Sequence, residues 1–186
     1  GWNADGSTMP GWPYPVVNQS ARTISPALAD LDGDGTLETI IGNLIKTDAT
    51  DRDGYVHVIR ANGTPYPGWP KLSVTAATCG SNNNWLDAFA SPIAVDLDGD
   101  GWAEIIEPSA NYLHVWNRNG TQLSRVAPDV CAGSPDPSRY QMQGRSAFFS
   151  TPTAVDLHGD GKIVLVVGGA SSGGTTGALY AWKFTN

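Results

Sequence analysis

Residues 25–35 read SPALADLDGDG, and the phrase returns as SPIAVDLDGDG at 91–101 and TPTAVDLHGDG at 151–161. The first aspartates of the loops, Asp30, Asp96 and Asp156, lie 66 and 60 residues apart. A period of this size implies stacked supersecondary units, none able to bury its apolar face alone. In the first unit a small apolar segment, SPALADL, leads into the DGDG turn, and LETIIGN follows, rich in Ile and Thr like a buried strand. YVHVIR at 55–60 reads as a third strand, and Asn62-Gly63 supplies a hairpin turn. TPYPGWPKLSV completes the unit, and its prolines suit only an edge strand. Four antiparallel strands with the edge outermost describe a propeller blade.

The expected fold is therefore all-β: a β-propeller of four-stranded antiparallel blades, about three of them in this chain. Residues 1–24 are expected to supply an outer strand that completes a blade, plus its connection. Blade one is expected at 25–78, an interblade loop and blade two at 79–138, and blade three at 139–186. His57, His114 and Tyr180 share one repeat position, as do Ile59, Trp116 and Trp182. A histidine recurring at a fixed blade position reads as structural rather than as a catalytic base. Near the N-terminus, Trp2-Asn3-Ala4-Asp5-Gly6 matches residues 116–120, and Pro10-Gly11-Trp12-Pro13 matches residues 67–70. Because propellers have typically 4–8 blades, further chain or a second copy of this one is expected to complete the ring.

The repeated loop is also a string of carboxylates. Asp30, Asp32, Asp34 and Glu38 occupy loop positions 1, 3, 5 and 9, and Thr36 at position 7 offers its carbonyl. Asp96, Asp98, Asp100, the Trp102 carbonyl and Glu104 repeat the arrangement. Several carboxylates in an all-oxygen set select Ca²⁺ over softer metals. An EF-hand would need Glu at position 12 followed by a helix; Ile41 stands there in the first loop and Glu107 in the second, both within strand-like runs. The alternative for these loops is an Asx-turn whose aspartates only bind backbone N–H groups. In the third loop His158 and Val164 replace two acids, leaving Asp156, Asp160 and the Lys162 carbonyl as a depleted third site.

Ten of the 18 acidic residues lie in these loops, within a formal net charge of −7, so much of the acidity reads as metal sites. The 11 Lys and Arg form no basic stripe, which argues against nucleic acid. No run of 18 apolar residues suggests membrane insertion. The chain opens at Gly1 without a signal sequence, and a mature or excised piece is expected. Cys79 and Cys131 precede repeats by similar distances, and a disulfide between neighbouring loops would fit a secreted protein. Two unpaired thiols are the alternative. The same connections carry Trp85, Asp87, Arg139, Tyr140, Gln141 and Arg145, which could hold a sugar or a peptide or simply pack over the blades. No G-x-S-x-G elbow, HExxH or phosphate loop points to catalysis.

The S/T-P-x-x-x-D-L-x-G-D-G phrase, the apolar strand after it and the I/W-x-x-N-G-T hairpin resemble the FG-GAP/VCBS repeat family, whose best-known relative is the integrin α-subunit propeller. The resemblance spans nearly the whole chain, clear in the first two units and weaker in the third. It implies a calcium-stabilised β-propeller with the metal loop joining the first two strands of each blade. The function expected from it is an extracellular ligand-binding, adhesive or structural module. A lectin using the interblade loops is one alternative, and a non-catalytic part of a secreted hydrolase or lyase is another.

Overall fold

The computed structural model describes residues 1–15, 24–45, 53–74, 90–109, 112–123, 147–148, 150–170 and 177–184. Among them there are strands and no helix, gathered in three antiparallel sheets. In the first sheet, β1 (Ala27–Ala29), β2 (Glu38–Ile45), β3 (Asp53–Ile59) and β4 (Lys71–Val74) lie in chain order. The second sheet holds β5 (Ile93–Val95), β6 (Glu104–Ser109) and β7 (Tyr112–Trp116), also in order. In the third, β9 (Thr153–Val155) and β11 (Gly177–Lys183) flank β10 (Val164–Ala170). A two-residue strand, β8 (Ala147–Phe148), pairs with the far end of β10, where only a connection was expected.

One register runs through all three sheets. Thr39 faces Ile59, Ile105 faces Trp116 and Leu165 faces Trp182 across the central strand pair. The repeat thus extends from loop to ladder, because a period-2 ladder admits no one-residue slip without turning every side chain over.

The sheets stack face to face. Ile105 on β6 packs with Leu31, Ile40, Val56, Val58, Tyr66, Trp69 and Trp116, which ties the second sheet to the first. Its neighbour Ile106 points the other way and joins Leu97, Leu113, Val115, Leu165, Val167 and Phe184, which ties the second sheet to the third. Alternation along β6 therefore serves two cores, and both isoleucines are fully buried. Truncating either to alanine would cost about 2–5 kcal/mol. Among the described residues, the third sheet has no neighbour on its far side: Leu157 is 57% and Leu179 77% exposed, against 3% for Leu97 and 1% for Leu113 at the same repeat positions. The described residues form three sheets and no closed ring.

Two expected outer strands lie largely outside the described residues. Residues 1–15 make no strand; a turn brings the Asn3 N–H to the Ser7 carbonyl at 2.8 Å, and Trp2 bridges Thr8. In the second unit the outer segment is a single bridge, Trp116 to Gln122, within the described residues. The turns that follow still dock on the next unit. Trp12 Nε1 donates to the Ala61 carbonyl at 2.9 Å, and Trp69 Nε1 donates to the Arg118 carbonyl at 3.0 Å.

Candidate metal centre

Each acidic loop links the first two strands of its sheet, and glycines let it wrap. Gly33 and Gly35 adopt φ of 79° and 83°, a conformation that strains any residue with a Cβ. Asp30 then reaches across its own turn, Oδ1 accepting the Gly33 N–H at 2.7 Å and Oδ2 the Gly35 N–H at 2.9 Å. Glu38, first residue of β2, folds back so that Oε2 accepts the Leu31 N–H at 2.9 Å. The second loop repeats the frame. Asp96 accepts Gly99 and Gly101 at 2.7 and 2.9 Å, and Glu104 accepts Leu97 at 2.8 Å.

This frame gathers Asp30, Asp32 and Glu38 so that one carboxylate oxygen from each lies within 4.8 Å of the others, and it gathers Asp96, Asp98 and Glu104 likewise. Either triad could hold a metal ion. Asp34 and Asp100 stay outside the triads and accept the Thr36 and Trp102 N–H groups at 2.7 and 2.8 Å. The Asx-turn bonds of the simpler reading are therefore present. They do not exclude an ion, since each carboxylate has about four lone-pair sites.

The electrostatics favour a cation. Burial first, and then repulsion from Asp98, Asp100 and Asp96, push the Glu104 carboxyl up to about 7, against a hydrogen bond from Leu97 that lowers it. Glu38 is raised for the same reasons. A buried acid facing two aspartates is costly to ionise unless positive charge is added.

The third loop keeps the turn and loses the triad. Asp156 accepts the N–H groups of His158, Asp160 and Gly161 at 3.2, 3.2 and 2.7 Å, and the Gly161 bond leads in lowering its pKa. Asp160 pairs with the Lys183 ammonium at 2.7 Å, which holds its carboxyl below the usual range. Lys162 places its own N–H on Asp160 at 3.2 Å. The loop that lacks two acids thus has a cation of its own from β11. Lys183 was not among the expected site residues; its signal is a basic side chain at the repeat position of Arg60.

Other polar groups are buried as well. His57 and His114 have no hydrogen-bond partner on either ring nitrogen, and burial lowers both, His114 to about 4. Each packs as an aromatic: His57 edge-on to Tyr14 with centroids 5.9 Å apart, and His114 stacked on Trp116 at 5.4 Å. Glu107, cross-strand partner of His114, is wholly buried with neither oxygen bonded. It abuts Gly42, where an added Cβ would collide with Oε1. Desolvation drives its carboxyl well above the usual range. An acid in the apolar run EIIEPS was the available signal. Cys79, Cys131, Trp85, Asp87, Arg139, Tyr140, Gln141 and Arg145 lie outside the described residues.

Among the described residues, no helix is long and apolar enough to cross a membrane. No protein-family model matches the chain, and no curated protein matches it. Among solved structures, it is similar to the biofilm matrix protein Bap1 of V. cholerae, with 22% identity and a TM-score of 0.37. That match covers 87% of this chain and 28% of the Bap1 chain.

Proposed function

We propose that this chain is a calcium-binding β-propeller segment of the FG-GAP/VCBS type, an extracellular structural or ligand-binding module without catalytic residues. The observation that carries the reading is the pair of acidic triads, each framed by the same three backbone hydrogen bonds. Asp30, Asp32 and Glu38 would hold one ion, and Asp96, Asp98 and Glu104 a second. Asp34, Asp100 and the carbonyls of Thr36 and Trp102 are available to complete the oxygen sets. A hard cation of flexible coordination suits such donors, and Ca²⁺ would supply the charge that Glu38 and Glu104 lack. Lys183 takes the cation's place at the third loop, so two ions are expected, with none held by Asp156, His158, Asp160 and Lys162.

Support for the propeller comes from three units of one register stacked in chain order, with the Trp-to-carbonyl bond recurring between units. A neighbouring unit, from further chain or a second copy, would cover the Leu157–Leu179 face. Calorimetric titration with Ca²⁺, Mg²⁺ and Zn²⁺, together with melting in excess calcium and in chelator, tests the metal reading. Two calcium ions per chain and a midpoint rise of about 10 °C or more are expected. An unchanged midpoint would remove the metal, and a preference for Zn²⁺ would remove calcium as its identity.

A further inference from the structure

The two acidic loops touch through one side chain. Trp102, position 7 of the second loop, lays the edge of its indole over Gly33, position 4 of the first. A Cβ added at Gly33 would come within 3.2 Å of Cη2 and 3.3 Å of Cζ3. The face of the same indole carries the Arg118 guanidinium, whose Cζ lies 3.5 Å from the ring centroid. Nη1 of that guanidinium donates to the carbonyl of Leu31 at 3.4 Å. Leu31 sits between Asp30 and Asp32, and its N–H is the group that Glu38 accepts. The Arg118 main chain is itself held, because its carbonyl accepts Trp69 Nε1. Indole and guanidinium therefore form a rigid plate with one end on each loop.

The plate occurs once. At the repeat positions of Trp102 stand Thr36 and Lys162, and at those of Arg118 stand Ala61 and Phe184. Neither of the other units can build it from these positions.

We infer that Trp102 and Arg118 couple cation binding at the two loops, so that filling either loop strengthens binding at the other. The inference rests on the metal reading proposed above. The carbonyl of Trp102 belongs to the second loop's oxygen set, so an ion there fixes the backbone from which the indole projects. The fixed indole holds Gly33, whose N–H is bonded to Asp30, and through Arg118 it holds Leu31, whose N–H is bonded to Glu38. Both anchors of the first triad are then preorganised before its ion arrives. Linkage makes the effect reciprocal. Without the second ion, repulsion among Asp96, Asp98 and Glu104 loosens the loop, and the first triad loses this support. Trp102 and Arg118 act through the ligands as positioning residues, apart from the Trp102 carbonyl.

Calorimetric calcium titrations of the full chain test the coupling. Asp32→Ala disables the first loop and Asp98→Ala the second, so each single-site affinity can be compared with the two-site isotherm of the intact protein. Intact loops are expected to bind about fivefold or more tighter together than the single sites imply. Trp102→Thr keeps the backbone carbonyl and should abolish the excess. Arg118→Lys keeps the charge, loses the planar stacking and should reduce it, and it carries the test if Trp102→Thr does not fold. In Asp98→Ala protein, filling the first loop should move the Trp102 indole N–H resonance. Independent binding of two ions, excess affinity persisting in the folded variants, or a stationary Trp102 resonance would overturn the coupling and leave the calcium reading standing. Absence of calcium binding to the intact protein would overturn both.

Discussion

The second and third units share one backbone plan and part company in chemistry. Both loops turn on a first aspartate that collects backbone N–H groups, Asp96 and Asp156, and both use glycines at positive φ. In the second unit, Asp98 and Glu104 add the two carboxylates that make a triad. The third has His158 and Val164 there, and Lys183 approaches Asp160. Making the turn and holding a cation are therefore separable properties. The first needs positions 1, 4 and 6 of the loop; the second needs positions 3 and 9 as well. Packing differs in the same direction. The second unit is covered on both faces, whereas the third leaves Leu157 and Leu179 exposed.

The largest expected effect tests the separation directly. In excess calcium, Asp98→Ala should cost about 3 kcal/mol, or roughly 5–10 °C in melting temperature, while His158→Ala changes little. In chelator the gap between the two variants should close. Equal losses in calcium would mean that the third loop binds metal as the second does.

A pH series of melts sharpens the point. In the metal-free fold the Glu104 carboxyl is pushed up to about 7, above its ordinary 4.5. Its stability contribution is therefore present below about 4.5 and lost as pH rises toward 7, a change on the order of 2 kcal/mol. Calcium should reverse the sign, because an ion-bound carboxylate is held ionised and resists protonation. If the pH slope is the same in calcium and in chelator, Glu104 is not a ligand.

Glu107 gives the next contrast, since Ile41 and Val167 occupy its position in the sister units. Glu107→Ile should stabilise the fold by about 1–2 kcal/mol, because a buried unpaired carboxyl is removed without opening a cavity. Burial raises the carboxyl, so the parent loses stability as pH climbs above the ordinary carboxylate range. The variant should lack that loss whether or not calcium is present, which distinguishes it from Glu104. A destabilised variant would show that Glu107 has a partner in solution.

The smallest effect belongs to Lys183. Its pair with Asp160 is partly exposed on both sides, so Lys183→Met should lower the melting temperature by about 1 °C or less, and salt should erase even that. Calcium stoichiometry should stay at two. A third ion bound by the variant would show that the ammonium had been blocking a site.

The sequence by itself determined the unit: a short strand after Pro26, an acidic turn on positive-φ glycines, two central strands and a hairpin at Asn62-Gly63, repeated. It also placed Asp30, Asp32, Glu38 and their counterparts in one loop each, because those contacts span fewer than about ten residues and follow from spacing and turn chemistry. What only the tertiary structure decided is how unit meets unit. Ile105 and Ile106 serve different cores, Trp69 bonds a carbonyl 49 residues away, and Arg118 reaches Leu31 across 87. The same holds for the Lys183–Asp160 pair and for the burial of Glu107 against Gly42. A repeat pattern records what each unit has in common with the others. Some of these contacts join residues at which the units differ, such as Arg118 and Lys183, and others, such as the recurring Trp-to-carbonyl bond, join one unit to the next, so their geometry exists only in the folded chain.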